Sequence, residues 1–146
     1  RREEITTEGG LALAPAERSI RDGLERLRGA GIRTSLFIDP DRDSVTRSHD
    51  FGADAVELHT GRYAHAPGAG APLSALRDAA AFGASLGLAV HAGHGLTTDN
   101  VGRVAAIPEI EELNIGHHVI SRAIFVGLDA AVRELRWAMD VARRPS

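Results

Sequence analysis

The 146-residue chain is 43% hydrophobic and 25% charged, an ordinary balance for a globular domain with a real core, which excludes gross disorder. A formal net charge of −3, with the 17 basic residues all arginine and scattered, leaves no basic footprint for nucleic acid. The absence of cysteine removes disulfides, thiolate metal sites and a thiol nucleophile, and no apolar run approaches the roughly 18 residues of a membrane span.

The chain opens on Arg1-Arg2-Glu3-Glu4, with neither an initiator Met nor a following apolar core, and reads as a cut into a longer protein. Residues 4–11 set Thr6 and Thr7 beside paired glycines, a pattern of ligand loops that ordinary turns also show. Ile20, Leu24 and Leu27 then recur at helical spacing behind Pro15, and Gly29 and Gly31 punctuate the end of the predicted helix. Four short β-rich apolar runs follow, at 33–39, 55–61, 88–95 and 112–120. Between the first two, 41–50 predicts a helix whose only large apolar residue is Val45. The tract 66–72, rich in Gly, Ala and Pro, reads as a long loop. Leu73, Leu76, Ala80, Gly83 and Leu86 form a second helical stripe, and Ile124, Leu128, Ala131, Leu135 and Ala138 form the last.

Strand followed by helix, repeated, predicts parallel βαβ units. Side chains two apart on a strand share a face. Val56 and Leu58 are therefore expected against helices, with Glu57 and His59 on the other face. Leu88 and Val90 oppose Ala89, His91 and Gly93 in the same way, and Leu113 and Ile115 oppose Asn114 and Gly116. An open doubly wound sheet buries both faces in aliphatic residues, whereas a barrel interior near its C-terminal mouth holds polar groups beside a ligand. The predicted fold class is α/β, a (β/α)₈ TIM barrel, of which this chain supplies roughly the last four βα units. A whole barrel takes about 250 residues, so residues 1–146 are expected to be the C-terminal half of a single barrel domain.

Three segments can carry chemistry. In His91-Ala92-Gly93-His94-Gly95-Leu96-Thr97 a strand runs into a Gly-His-Gly turn, with a helix start expected at Thr97 or Thr98. Glycines admit close approach of a ligand, and N–H groups at a helix start favour an anion. His94 there is a candidate general acid, since imidazole exchanges a proton near neutrality; the plainer role is a hydrogen bond within the turn. In Asn114-Ile115-Gly116-His117-His118, the place of a phosphate loop after a last barrel strand, Gly116 and His117 are candidate phosphate ligands, while His118 is expected to cap the following helix or face solvent. In Glu57-Leu58-His59-Thr60-Gly61 an inward carboxylate is costly unless paired or used, so Glu57 is expected to meet substrate, a cation or a histidine, or else to pair with Arg33 or an arginine from the missing half of the barrel. His59 with His91 and His94 could be metal-ligand material, but acid–base or anion roles are the stronger expectation for histidines at strand ends, and no metal is expected.

Taken together, Glu4-Ile5-Thr6-Thr7-Glu8-Gly9-Gly10-Leu11, Ser35-Leu36-Phe37-Ile38-Asp39, Glu57-Leu58-His59-Thr60-Gly61, Ala92-Gly93-His94-Gly95-Leu96 and Glu112-Leu113-Asn114-Ile115-Gly116-His117 resemble the pyridoxine 5′-phosphate synthase family of vitamin B6 biosynthesis, in order along the chain. The resemblance implies a barrel enzyme that condenses 3-amino-2-oxopropyl phosphate with 1-deoxy-D-xylulose 5-phosphate, releasing phosphate and water, with no metal or organic cofactor. It implies His94 as proton donor and Glu57 as transition-state stabiliser. Gly95, Gly116 and His117 would bind the aminoketone phosphate, and Thr6 the deoxyxylulose phosphate. A cytoplasmic homo-oligomer is expected, with no nucleic-acid or membrane partner. The family's general bases, a His and a Glu on earlier strands, have no counterpart here, so the chain alone is expected to be incomplete. His91 stands where the family carries Asn, a change expected to alter hydrogen bonding beside His94. Two other readings of the same residues are another phosphate-binding barrel enzyme and a non-catalytic half-barrel that self-associates through open strand edges.

Overall fold

In the computed structural model, which describes residues 9–144, four strands alternate with helices as the apolar runs require. The order is α1 Leu13–Gly29, β1 Ser35–Ile38, α2 Arg42–Asp50, β2 Ala55–His59, α3 Gly61–His65, α4 Gly70–Ser85, β3 Ala89–Gly93, α5 Val101–Ala105, β4 Ile110–Asn114, α6 His117–Val126 and α7 Leu128–Arg143. The strands form one parallel sheet in the order β1-β2-β3-β4. The fold is α/β, with the consecutive parallel strands of a partial TIM barrel.

The two faces of this sheet differ as the alternation predicts. Leu36, Ile38, Val56, Leu58, Val90 and Ala92 are buried on the helix side. Fully burying each Val, Leu or Ile there is worth about 1.5–3 kcal/mol. On the opposite face, register aligns Phe37 with Glu57, His91 and Glu112, and aligns His59 with Gly93 and Asn114. Helix α4 packs on β2 and β3 through Leu73, Leu76, Ala80 and Gly83, all buried.

Short helix α2 has few apolar residues, yet it is well defined for two local reasons. The Asp41 carboxylate accepts from the Ser44 N–H at 2.9 Å, a cap worth about 1 kcal/mol. Val45, Ser48 and the adjoining Phe51 are all buried. At the entry of β1 and β2, Asp54 accepts from the Thr34 N–H at 2.7 Å and from its hydroxyl at 3.0 Å, tying the two strand starts together.

Several element bounds depart from the periodicity. The predicted strand 112–120 is β4 followed by α6: Ile115 and Val119, which look strand-like by composition, are four apart and pack on the core as residues joining and opening a helix. The tract 66–72 is not one long loop, because Gly70, Ala71 and Pro72 form the first turn of α4, where a missing N–H is harmless. The last apolar stripe spans a break at Gly127, whose φ of +84° only glycine adopts cheaply. Ile124 and Leu128, on either side, are thereby left 78% and 57% exposed, while Ala131 and Leu135 are buried. Leu27 likewise lies on the outer side of α1. No helix among the described residues is long and apolar enough to cross a membrane.

Candidate functional site

The carboxyl ends of β2, β3 and β4 meet the start of α6 at one end of the sheet. Glu57, His94, Gly95, Gly116 and His117 line a single cavity there of about 280 Å³, together with Phe37 and Asn114. The sequence-predicted site residues within 9–144 are thus brought together. Thr6 and the rest of the 4–8 segment lie outside the described residues.

Glu57 points inward from β2 and is half-buried. Its carboxylate does not pair with Arg33, which lines a separate cavity toward the strand starts. Instead Oε2 accepts a hydrogen bond from the Asn114 side-chain amide at 2.8 Å. The two strands are separated by β3, and Gly93 makes the bridge possible: a Cβ on Gly93 would stand 2.4 Å from Glu57 Oε1. The carboxylate is therefore held by a neutral donor, with capacity left for a ligand.

The turn after β3 is held from β2. Thr60, fully buried, donates its N–H to Gly93 O at 2.8 Å, and its hydroxyl lies 2.7 Å from the same oxygen and within hydrogen-bonding distance of His94 O. His94 takes a φ of +86° and Gly95 one of +75°. For a histidine that conformation is uncommon and costs energy, so the fixed carbonyls over-determine it. Asn100, also buried, accepts from the Thr97 N–H at 2.8 Å and reaches Gly95 O with its amide at 3.3 Å. Tyr63 hydroxyl donates to Asn100 O at 2.7 Å, and burial raises its phenol pKa above the ordinary value.

These bonds correct one expectation. No helix starts at Thr97 or Thr98; α5 begins at Val101, and the Thr97 N–H is consumed by Asn100. The donor-rich helix start at the cavity belongs to α6, whose N-cap is Gly116 and which has no side-chain cap. The first N–H groups of such a helix have no partners within it and carry the positive end of its dipole, so they suit an anion. His117 is its first residue and is exposed. His118, half-buried, accepts weakly from the Thr98 N–H at 3.4 Å, joining the two loops rather than capping α6.

His91 is a second correction. It faces inward in register with Glu57, but it lines the cavity at the opposite end of the strands, with Arg33, Ser35 and Glu112, and not the one that holds His94. His59 sits near His94, and no group of three metal-ligating side chains occurs among the described residues. Asn114, Thr60, Asn100 and Asp39 were not singled out by the sequence. An amide on the inner face of the last strand, one glycine away from an inward carboxylate, was the signal for Asn114.

A parallel α/β sheet with a polar inner face, a glycine-flanked histidine turn and an uncapped helix start around one cavity defines a protein of the partial TIM-barrel class, with that polar cavity at the strand C-termini. Comparison with known proteins makes this specific. The family model described as "Pyridoxal phosphate biosynthesis protein PdxJ" matches residues 1–141, and the chain belongs to that family. The chain is 55% identical over 145 residues to the pyridoxine 5′-phosphate synthase of Synechococcus sp., covering 97% of this chain and 61% of that protein. It is 53% identical over 149 residues to the enzyme of the same name from Ruegeria pomeroyi, covering 98% and 60%. The Caulobacter vibrioides synthase is 50% identical over 149 residues, covering 98% and 59%. The chain spans about 60% of the length of these curated relatives.

Proposed function

We propose that this chain forms the C-terminal half of a (β/α)₈ barrel that makes pyridoxine 5′-phosphate from 3-amino-2-oxopropyl phosphate and 1-deoxy-D-xylulose 5-phosphate. The observation that carries the proposal is the single cavity shared by Glu57, His94, Gly95, Gly116 and His117 at the carboxyl ends of the strands. Its volume of about 280 Å³ is near the lower end of ligand pockets, which run from about 300 Å³. That suits one end of a small phosphorylated molecule, with the remainder of the site contributed by the rest of the barrel.

In this reading the α6 start, Gly95 and His117 receive the aminoketone phosphate, because an uncapped helix N-terminus supplies oriented donors at no reorganisation cost. Thr6 receives the deoxyxylulose phosphate. Imine formation, phosphate elimination, ring closure and dehydration are successive proton transfers, so the site needs a donor that is held in place. His94 is that donor, on a turn fixed by Thr60. Glu57, oriented by Asn114, stabilises positive charge as the imine forms. The substrates are retained as small phosphorylated metabolites, and no metal or organic cofactor is assigned a role.

Two features support completion by further strands and assembly into a homo-oligomer. Among the described residues β1 and β4 are the unclosed edges of the sheet. Ile120, Ile124, Phe125 and Trp137 are exposed on α6 and α7, large apolar side chains suited to burial against further chain. Localisation in the cytoplasm belongs to the same proposal.

The test is product analysis. The full-length protein carrying this chain, given both substrates, should release pyridoxine 5′-phosphate and inorganic phosphate. Absence of the pyridine product, with the protein folded, would reject the proposal in favour of another phosphate-barrel reaction.

A further inference from the structure

We infer that His59, held by Asp39, is a positioning residue that sets the plane of the His94 ring. The inference rests on the proposed role of His94 as proton donor. His59 is 9% exposed, and its Nδ1 lies 3.3 Å from Asp39 Oδ1. With the carboxylate as acceptor, the proton resides on Nδ1 and Nε2 keeps a lone pair. That Nε2 is buried and has no hydrogen-bonding partner among the described residues. A phenyl ring would fill the same volume but could not donate to Asp39. A residue there for packing alone gains nothing from being histidine.

The neighbours of His59 show what it does. Its ring meets His94 edge-to-face, with centroids 4.8 Å apart and planes at 62°, and Phe37 meets it in the same manner at 5.3 Å. Gly61 leaves room for this contact, since a Cβ there would stand 2.6 Å from His59 Nε2 and 3.4 Å from His94 Cδ2. Asp39 Oδ1 also accepts from the Gly10 N–H at 3.4 Å, so the same carboxylate ties the Gly10 backbone to the ring that faces His94. Thr60 fixes the His94 backbone, and the Asp39–His59 pair fixes the ring against which the His94 side chain lies. Misplacing a proton donor by about 1 Å can cost on the order of 100-fold in rate, so a ring stop of this kind acts on turnover and not on binding.

The test uses the full-length protein. His59→Phe keeps the ring volume and loses the tie to Asp39; Asp39→Ala removes the same tie at a half-exposed position where folding is little affected. Each should lower kcat by about 10- to 100-fold with KM for both substrates within about twofold. The double variant should be no worse than either single one, and Asp39→Asn, which keeps an acceptor for Nδ1, should recover most of the lost turnover. Wild-type kcat in a folded Asp39→Ala protein, or a loss confined to KM, overturns the inference. The ring-proton chemical shifts of His94 provide a readout independent of turnover. They should move in Asp39→Ala, and unchanged shifts overturn the inference as well. A wild-type protein that forms no pyridoxine 5′-phosphate rejects the reaction proposed above, while the chemical shifts still decide the ring contact.

Discussion

The side-chain amide of Asn114 donates to Glu57 Oε2 at 2.8 Å, reaching from the end of β4 to the middle of β2 across Gly93. The bridge needs all three residues: a carboxylate that leans over, a glycine that lets it, and an amide that receives it. In the full-length protein Asn114→Ala should leave the carboxylate free to rotate and lower turnover by about tenfold or more, as loss of an orienting contact does. Gly93→Ala should be more severe, because the added methyl would lie 2.4 Å from Glu57 Oε1 and 2.8 Å from Asn114 O. Overpacking of that kind costs about 1–3 kcal/mol. Thermal unfolding and steady-state kinetics on both variants check this, and wild-type turnover in Asn114→Ala would show that the bridge does not orient Glu57.

Replacing the donor itself should act on the chemical steps. His94→Asn preserves a polar side chain that suits the left-handed backbone of the turn, since asparagine tolerates positive φ. The Thr60 contacts to the Gly93 and His94 carbonyls do not involve the imidazole and are retained. Turnover should fall by a factor on the order of 10² to 10⁴, the range for a positioned acid or base, with little change in melting temperature. Single-turnover kinetics measure it directly, and unchanged rates would remove His94 from the mechanism.

Phosphate affinity should respond to His117 in a different way. The side chain is exposed at the first position of α6, while the backbone donors of the helix start stay in place without it. His117→Ala should therefore weaken binding of a phosphorylated ligand by about tenfold, the share of one hydrogen bond to a charged group, and leave kcat at saturation nearly unaltered. Calorimetric titration with inorganic phosphate or the aminoketone phosphate checks this, and equal affinity would assign the site to the backbone alone.

Much of this architecture is legible in the sequence, and the reason is the period-two alternation. Val56 against Glu57 and Val90 against His91 declare which face meets helices, and parallel register then sets Glu57, Gly93 and Asn114 side by side on the other face, while His91 turns to the cavity at the strand starts. Gly127 was not legible as a break, because Ile124, Leu128, Ala131 and Leu135 keep a helical period straight through it; only the backbone angle separates them. The start of α5 is hidden from the sequence for a related reason. Thr97 and Thr98 look like caps, but the buried Asn100, three residues beyond Thr97 and directly before α5, accepts the Thr97 N–H. Hydrogen bonds between distant strands, such as Asn114 with Glu57 or Asp39 with His59, depend on tilt and on the gap at a glycine, which no local pattern encodes.

Acid stability should report on the clamp at the strand entries. The backbone N–H of Thr34, then its hydroxyl, hold the Asp54 carboxyl below its ordinary pKa, with Arg33 and Arg28 contributing the same sign. A folded-state pKa below the unfolded one means the unfolded chain binds the proton more tightly. The contribution is therefore fully present above the ordinary aspartate range and is lost as pH falls through the lowered folded value. Asp54 is solvent-accessible, so screening keeps the effect small. Glu134, lowered by its two hydrogen bonds from Arg122 across α6 and α7, follows the same sign and contributes to the same acid limb. Comparing wild type with Asp54→Asn cancels that second contribution. The melting temperature of the variant should be lower at neutral pH, and the difference should shrink toward zero in strongly acid buffer. A difference that stays constant across the acid range would mean that Asp54 acts through hydrogen-bond geometry alone and not through its charge.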